Sequence, residues 1–235
     1  MRNVFRQIFF SFIVVSITLG FGRCSFAIEK SLIYKSYSEK TGEIVQKSYV
    51  TIKDFVEGEK ELRQTVESPE GIIKSEFILD EQNMVSEWRV SSADEAINYK
   101  GRKEWHTLFI DGTFNGNLID KVVNLDDKPF FDFPEFNLKF FVLSEQRNVY
   151  FWMLRKDRLI KRLMYAKKRG EETLLINGKK MDVIKVYYSE AGMREKHYKA
   201  FLYFRKSDGL FVKKTVSTGL TTDLINERSL GGSVL

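Results

Sequence analysis

The sequence predicts a mainly β protein: a curved antiparallel sheet, either a half-barrel or an open-barrel meander, with one short helix packed against it. Three observations carry that reading. From Glu171 to Thr215, short runs of β-branched and aromatic residues are cut by Asn177-Gly178 and Asp208-Gly209, dipeptides that supply the backbone angles of tight hairpins. The first half of the chain repeats this alternation of strand and turn and offers no sustained helical period. One phenylalanine-rich stretch around Pro134 breaks the pattern.

The chain opens on an export signal. Arg2 and Arg6 precede an almost wholly apolar run from Ile8 to Leu19, and Ser25-Phe26-Ala27 is a small-x-small cleavage site. This is the layout of a secretory signal peptide over residues 1–27, with Ile28 as the mature N-terminus. The apolar run is shorter than the roughly 18–20 residues of a spanning helix, so no stable transmembrane segment is expected after cleavage. Arg23 stands where a lipidation signal needs a small residue before Cys24.

Removal of 27 of the 235 residues leaves 208, enough to bury one sizeable core. The expected layout is a single antiparallel β domain over 28–217, with the helix near 134–144, followed by a polar, glycine-bearing C-terminal tail over 218–235. Cleavage also removes Cys24, the only cysteine, and with it any disulfide or catalytic thiol. An exported chain without cysteine fits a bacterial periplasm. Three arginines of the signal carry half of the net charge of +6. The remainder is interspersed with acids, which is a solubility pattern and not a nucleic-acid footprint.

Taken in order, Ser31 to Tyr37 and Ile44 to Ile52 read as strands joined at Lys40-Thr41-Gly42. Lys60 to Glu67 and Ile72 to Leu79 follow around Ser68-Pro69-Glu70-Gly71, with proline at the turn position that its fixed φ suits. Met84 to Ser91, Ala96 to Tyr99 and Glu104 to Ile110 continue the meander. Asp111-Gly112 is expected to close a hairpin into Thr113 to Val123.

Between Leu125 and Ser144, six phenylalanines surround Pro129 and Pro134. Pro134 suits the first turn of a helix, and Glu135 suits the positive end of its dipole. Phe136, Phe140 and Leu143 then fall on one apolar stripe. Such a helix beside a sheet is either a permanent cover or a movable lid. Asn148 to Leu154 is apolar on both faces. Leu159 to Ala166 fits a strand in this context, although a helical reading of so short a run stays open. In Lys180 to Tyr188 the apolar phase shifts between Val183 and Ile184, which points to a β-bulge or a strand covered on both sides.

Chemistry motifs are absent: no glycine-rich phosphate loop, no Gly-x-Ser-x-Gly, no His-Glu-x-x-His. The two histidines, His106 and His197, each follow a glutamate by two positions, Glu104 and Glu195. On neighbouring strands these four could form a two-His, two-carboxylate metal site and support a metal-assisted hydrolase. Charged pairs also alternate on any solvated strand face, and in a chain with 30% charged residues that reading is preferred. No metal and no cofactor are expected. A membrane β-barrel fits poorly because the strands carry charge on both faces.

Aromatic residues say more. Tyr150, Phe151, Trp152, Phe201, Tyr203, Phe204 and Phe211 lie on strands that are apolar on both faces, where an antiparallel sheet ordinarily keeps one face wet. The second face needs a cover: a helix, another sheet or a ligand.

The run from Gly170 to Val186, followed by Phe201 to Lys213, resembles an uncharacterised family of exported Gram-negative bacterial proteins. These have a glutamate-bearing strand, a Gly-Lys hairpin and a closing strand that reads aromatic, Asp-Gly, Val-Lys. By architecture they are similar to the lipoprotein-carrier (LolA/LolB-like) group, in which a curved sheet wraps helices over an apolar cavity. The resemblance covers about Phe130 to Val216, without the acylated cysteine of the membrane-anchored members and with a single clear helix. It implies a non-enzymatic periplasmic protein of the cell envelope that holds a lipid or acyl chain, or a segment of an envelope protein, in the sheet concavity. Phe136, Phe140, Phe141, Trp152 and Tyr203 are the expected ligand-binding residues. The alternatives are the metal-assisted hydrolase and a purely structural or interaction protein.

Overall fold

The computed structural model describes residues 28–55, 58–156, 158–192 and 198–230. Residues 1–27, where an export signal is expected, and residues 231–235 lie outside the described residues. Strands β1 (Ile28–Ser38), β2 (Ile44–Asp54), β3 (Lys60–Ser68), β4 (Gly71–Leu79), β5 (Val85–Ser92), β6 (Ile97–Glu104), β7 (Thr107–Phe114) and β8 (Asn117–Asn124) form one meander. Strands β9 (Asn148–Arg155), β10 (Ile160–Ile176), β11 (Lys179–Glu190), β12 (Lys199–Arg205), β13 (Phe211–Val216) and β14 (Leu220–Leu230) form a second. Pairing of β14 with β1 joins them into one 14-stranded antiparallel sheet that curves without closing.

This order has a topological consequence. β8 and β9 are consecutive in sequence but are the two edges of the sheet. The connection between them must therefore pass from one edge to the other; it runs along the free edge of β9 and enters the concavity from Phe130 onward. Residues 126–131 run beside β9: the Trp152 amide donates to Pro129 O and the Phe131 amide to Trp152 O, both at 2.8 Å. The Trp152 Nε1–H also donates to Asp126 Oδ1 at 2.7 Å. Lys121 of β8 reaches Arg158 O at 3.4 Å, so the two edges approach each other without pairing.

The crossing segment fills the interior with aromatic rings. Phe130 packs on Trp88 at 5.4 Å between ring centroids, Phe131 on Phe151 at 4.7 Å and Phe133 on Phe77 at 5.5 Å. Trp88 in turn lies over Gly101, where a Cβ would come within 2.1 Å of the indole, so no side chain fits there.

The helix follows as α1 (Pro134–Asn137) and α2 (Lys139–Leu143), bent at Leu138. Pro134 opens it as expected, but the buried stripe is not Phe136, Phe140 and Leu143. Phe136, Leu138, Phe141 and Val142 are buried, whereas Phe140 and Leu143 are each 45% exposed. Asn137 sets this rotation. Its Oδ1 accepts from the Phe133 amide at 2.9 Å and its Nδ2 donates to Asn83 O, which turns the 137/141 and 138/142 rows inward.

Three other expectations are corrected. Asp111-Gly112 is not a hairpin, because β7 runs straight through it and turns at Asn115-Gly116. Gly112 is needed for close packing: its φ is 132°, and a Cβ would meet Asn98 O at 2.3 Å. Residues 220–230 are not part of a tail but form β14, pinned by Ser36–Thr222 and Tyr37–Asp223 hydroxyl contacts of 2.8 and 2.7 Å. Of the two readings of the phase shift at Val183/Ile184, the bulge sits instead on the partner strand, between Lys168 and Gly170 of β10, while the consecutive burial of Val186 to Ser189 fits a strand covered on both faces. Ile160 to Ala166 is strand, as preferred, within a 17-residue β10 that continues to Ile176, whereas Leu159 belongs to the preceding turn and has a positive φ.

Candidate functional site

Two strand faces look at each other across the part of the concavity that the phenylalanine segment leaves open. On β10, Arg162 and Met164 alternate with Leu163 and Tyr165, and on β9 Met153 lies opposite Arg162. On β11, Tyr188 and Glu190 share that inner face. From the other half of the sheet come Gln46 of β2, Gln64 and Val66 of β3, and Ile73 and Ser75 of β4. Together with Phe133, Pro134 and Leu154 they wall a cleft of about 700 Å³. A smaller extension of about 280 Å³ continues past Phe136 and Tyr34 towards Leu220 and shares Gln46, Gln64, Glu135, Tyr198 and Lys214 with the first. The volume lies within the range typical of small-molecule sites, roughly 300–1,000 Å³.

Apolar groups make most of this wall, and the charges on it are arranged. Lys214 donates to Glu135 at 2.8 Å and fixes α1 to β13. Burial alone would lower the lysine, but Glu135 and Tyr198 outweigh it and hold the ammonium above its usual range. Burial likewise opposes ionisation of Glu135, and Lys214 reverses it, leaving that carboxyl below its usual value. Arg162 makes a 3.4 Å contact with Glu190, while its Nε–H has no acceptor among the described residues. Lys156 lies 5.7 and 5.9 Å from the ring centroids of Phe77 and Phe133. Asp132 is 3% exposed, and neither carboxylate oxygen finds a donor among the described residues. Burial raises its pKa, against a smaller opposing pull from Lys156. The Tyr188 hydroxyl, also pushed up by burial, contacts Met153 Sδ at 3.1 Å.

The five expected ligand-binding residues are not gathered in one place. Phe136 lines the smaller extension of the cleft. Phe141 is buried under Lys168, whose ammonium lies 5.3 Å from the ring centroid. Phe140 is on the surface beside Lys60 at 5.7 Å. Trp152 alternates with inward Phe151 and Met153, and faces Lys161 at 4.8 Å on the opposite side of the sheet. Tyr203, between inward Leu202 and Phe204, likewise points to the other face, where Lys185 lies 5.5 Å from its ring. The second apolar face of these strands is thus covered partly by lysine and arginine stems, as with Arg169 over Tyr187 at 5.1 Å.

Glu104 and His106 sit at the tip of the β6–β7 hairpin, where Trp105 has a positive φ. Glu104 pairs with Arg102 at 2.7 Å, and His106 faces Asp126 O and Asp127 at 3.2 and 3.7 Å. Glu195 and His197 lie outside the described residues. The strands that flank them, β11 and β12, are not neighbours of β6 or β7 in the sheet. Among the described residues no group of three or more His, Cys, Asp and Glu could hold a metal ion.

Sequence reasoning missed Asp132, Lys156, Arg162 and Met164. A period-2 reading of β10 would have put Arg162 and Met164 on one face, and a single carboxylate inside Phe130-Phe131-Asp132-Phe133 is itself a signal.

No family model matches the chain, and no curated protein matches it. Among solved structures, it is similar to a beta-barrel-like protein of a domain of unknown function, DUF1849, from Brucella abortus. The TM-score is 0.57 at 11% identity, over 87% of this chain and 98% of that one. An exported protein with a YmcC-like fold from Bacteroides fragilis aligns at TM-score 0.35 and 12% identity, over 87% and 100% of the two chains. A lipoprotein from Parabacteroides distasonis aligns at 0.35 and 11%, over 85% and 94%. The first likeness establishes a shared barrel-like sheet; the other two are too distant to extend it. Among the described residues no helix is long and apolar enough to cross a membrane.

Proposed function

We propose that this is an exported, non-enzymatic protein of the periplasm that holds the apolar chain of a lipid or acyl compound in the cleft between β2–β4 and β9–β11. The observation that carries this is the cleft itself: about 700 Å³ left open inside a sheet whose interior is otherwise packed with rings. Val66, Ile73, Met153, Leu154 and Met164 wall it from opposite halves of the sheet. An aqueous cleft with such walls is unfavourable in proportion to its apolar area, and a chain laid along them removes that area from water. Methionines on both β9 and β10 suit a chain of variable shape. Export rests on the N-terminal signal pattern, and the lipoprotein-carrier likeness of residues 130–216 is an analogy of architecture.

In this reading Phe136 and Phe141 belong to the fixed floor, and the helix is a permanent cover. The test is binding of a fluorescent fatty-acyl probe to the mature chain, with Ile73→Trp as the variant. Ile73 lines the cleft and is 38% exposed, so the indole can occupy the space without disturbing the core. Saturable binding that Ile73→Trp weakens supports the proposal. No binding, or binding indifferent to Ile73→Trp, favours a structural or interaction role for the sheet.

A further inference from the structure

We infer that the cleft selects an amphiphile with an anionic head, which sits against Lys156 and Arg162 while its chain runs over Met153, Met164, Val66 and Ile73. This rests on the reading of the cleft as an apolar-chain site and adds the chemistry of the other end.

The charges of the cleft are not equally spent. Lys214 is committed to Glu135 at 2.8 Å. Arg162 is not: a guanidinium carries five donors, and among the described residues this one has a single 3.4 Å carboxylate contact. Its Nε–H is enclosed without an acceptor. The side chain stays 19% exposed on the cleft wall, two positions along β10 from Met164. Lys156 lies over the faces of Phe77 and Phe133, and no described carboxylate is within ion-pair distance of it. Donors unspent beside an apolar wall are worth more to an incoming anion than the same donors in water, because the surroundings screen them less.

Asp132 is the rival group, since a carboxylate near the cleft could draw a cationic head instead. Asp132 also lines the cleft, but it is 3% exposed with both carboxylate oxygens buried, whereas the Arg162 side chain is 19% exposed there. The cation is therefore the reachable partner.

Isothermal titration of the mature chain with dodecanoate, dodecanol and dodecyltrimethylammonium, each below its critical micelle concentration, separates the two ends. Dodecanoate is expected to bind at least about tenfold more tightly than dodecanol, the scale of one charge-assisted hydrogen bond. Arg162→Gln and Lys156→Gln should each erode that ratio by weakening dodecanoate more than dodecanol. Lys156→Gln should leave the melting temperature unchanged, whereas Arg162→Gln, which also breaks the shielded contact with Glu190, should lower it. Should Arg162→Gln misfold, Lys156→Gln and the wild-type ligand series still decide. Equal affinity for dodecanoate and dodecanol overturns the anionic pole while the apolar-chain site stands. Tightest binding of dodecyltrimethylammonium overturns it too, in favour of Asp132. No binding of any of the three overturns both.

Discussion

Lys214 of β13 meets Glu135 of α1 at 2.8 Å across 79 positions of sequence, tying the helix to the second meander from inside the concavity. Both side chains are largely shielded, at 21% and 18% exposure, so neither charge is fully hydrated without the other.

Breaking that pair should be costly. Lys214→Met leaves Glu135 ionised in a poorly solvated place, and about 3–5 kcal/mol of stability should be lost at neutral pH. Glu135 is held below its usual value, so its contribution is complete above the unfolded carboxyl value, about 4.3, and is lost as pH falls through the folded one. Lys214 is held above its usual value, so its contribution is complete below about 10.4 and is lost as pH rises through the folded one. Urea unfolding at pH 4 and pH 7 checks this: the variant's deficit should shrink in acid, where Glu135 can protonate. A deficit independent of pH would assign the loss to packing.

The bent helix should divide its phenylalanines sharply. Phe136 and Phe141 are 8% and 6% exposed, and replacing either with alanine should cost roughly 3–5 kcal/mol. Phe140, at 45% exposure, should cost less than about 1 kcal/mol. Denaturant midpoints of the three variants decide. Equal costs at Phe136 and Phe140 would mean that the helix is rotated from the position described.

Truncation after residue 217 should abolish folding. β14 contributes the ladder that joins the two meanders, and its loss exposes the edges of β1 and β13 at once. A truncated chain that keeps a cooperative thermal transition would mean that the halves hold together through the helix alone.

Most of the fold was legible because hairpin chemistry is local. Asn177-Gly178 turns where the dipeptide says it should, with both residues at positive φ, and Gly209 does the same at its turn. Pro134 opens the helix for an equally local reason. What was not legible depends on distant partners. Gly112 looks like a turn glycine, but its role is set by the backbone of Asn98 and Tyr99 on the neighbouring strand. β14 carries threonines, asparagine and charged residues in place of an apolar run, and becomes a strand because β1 and β13 flank it. The rotation of the helix follows from a buried asparagine that bonds to Asn83, 54 residues away. The expected ligand residues scattered for a related reason. Trp152 and Tyr203 qualify by their aromatic rings, but a strand's parity decides which face a ring serves, and parity needs a known inner face.

Native mass spectrometry of the protein purified without denaturation from the cells that make it tests the central claim most directly. A cleft that holds an acyl chain predicts a mature chain starting at Ile28, carrying a non-covalent adduct in the mass range of a lipid or fatty acid. Ile73→Trp should release that adduct while the protein stays folded. A clean apo mass from gently handled wild-type protein, together with no uptake of added fatty acid, would contradict the claim and leave the cleft an unfilled feature of the sheet.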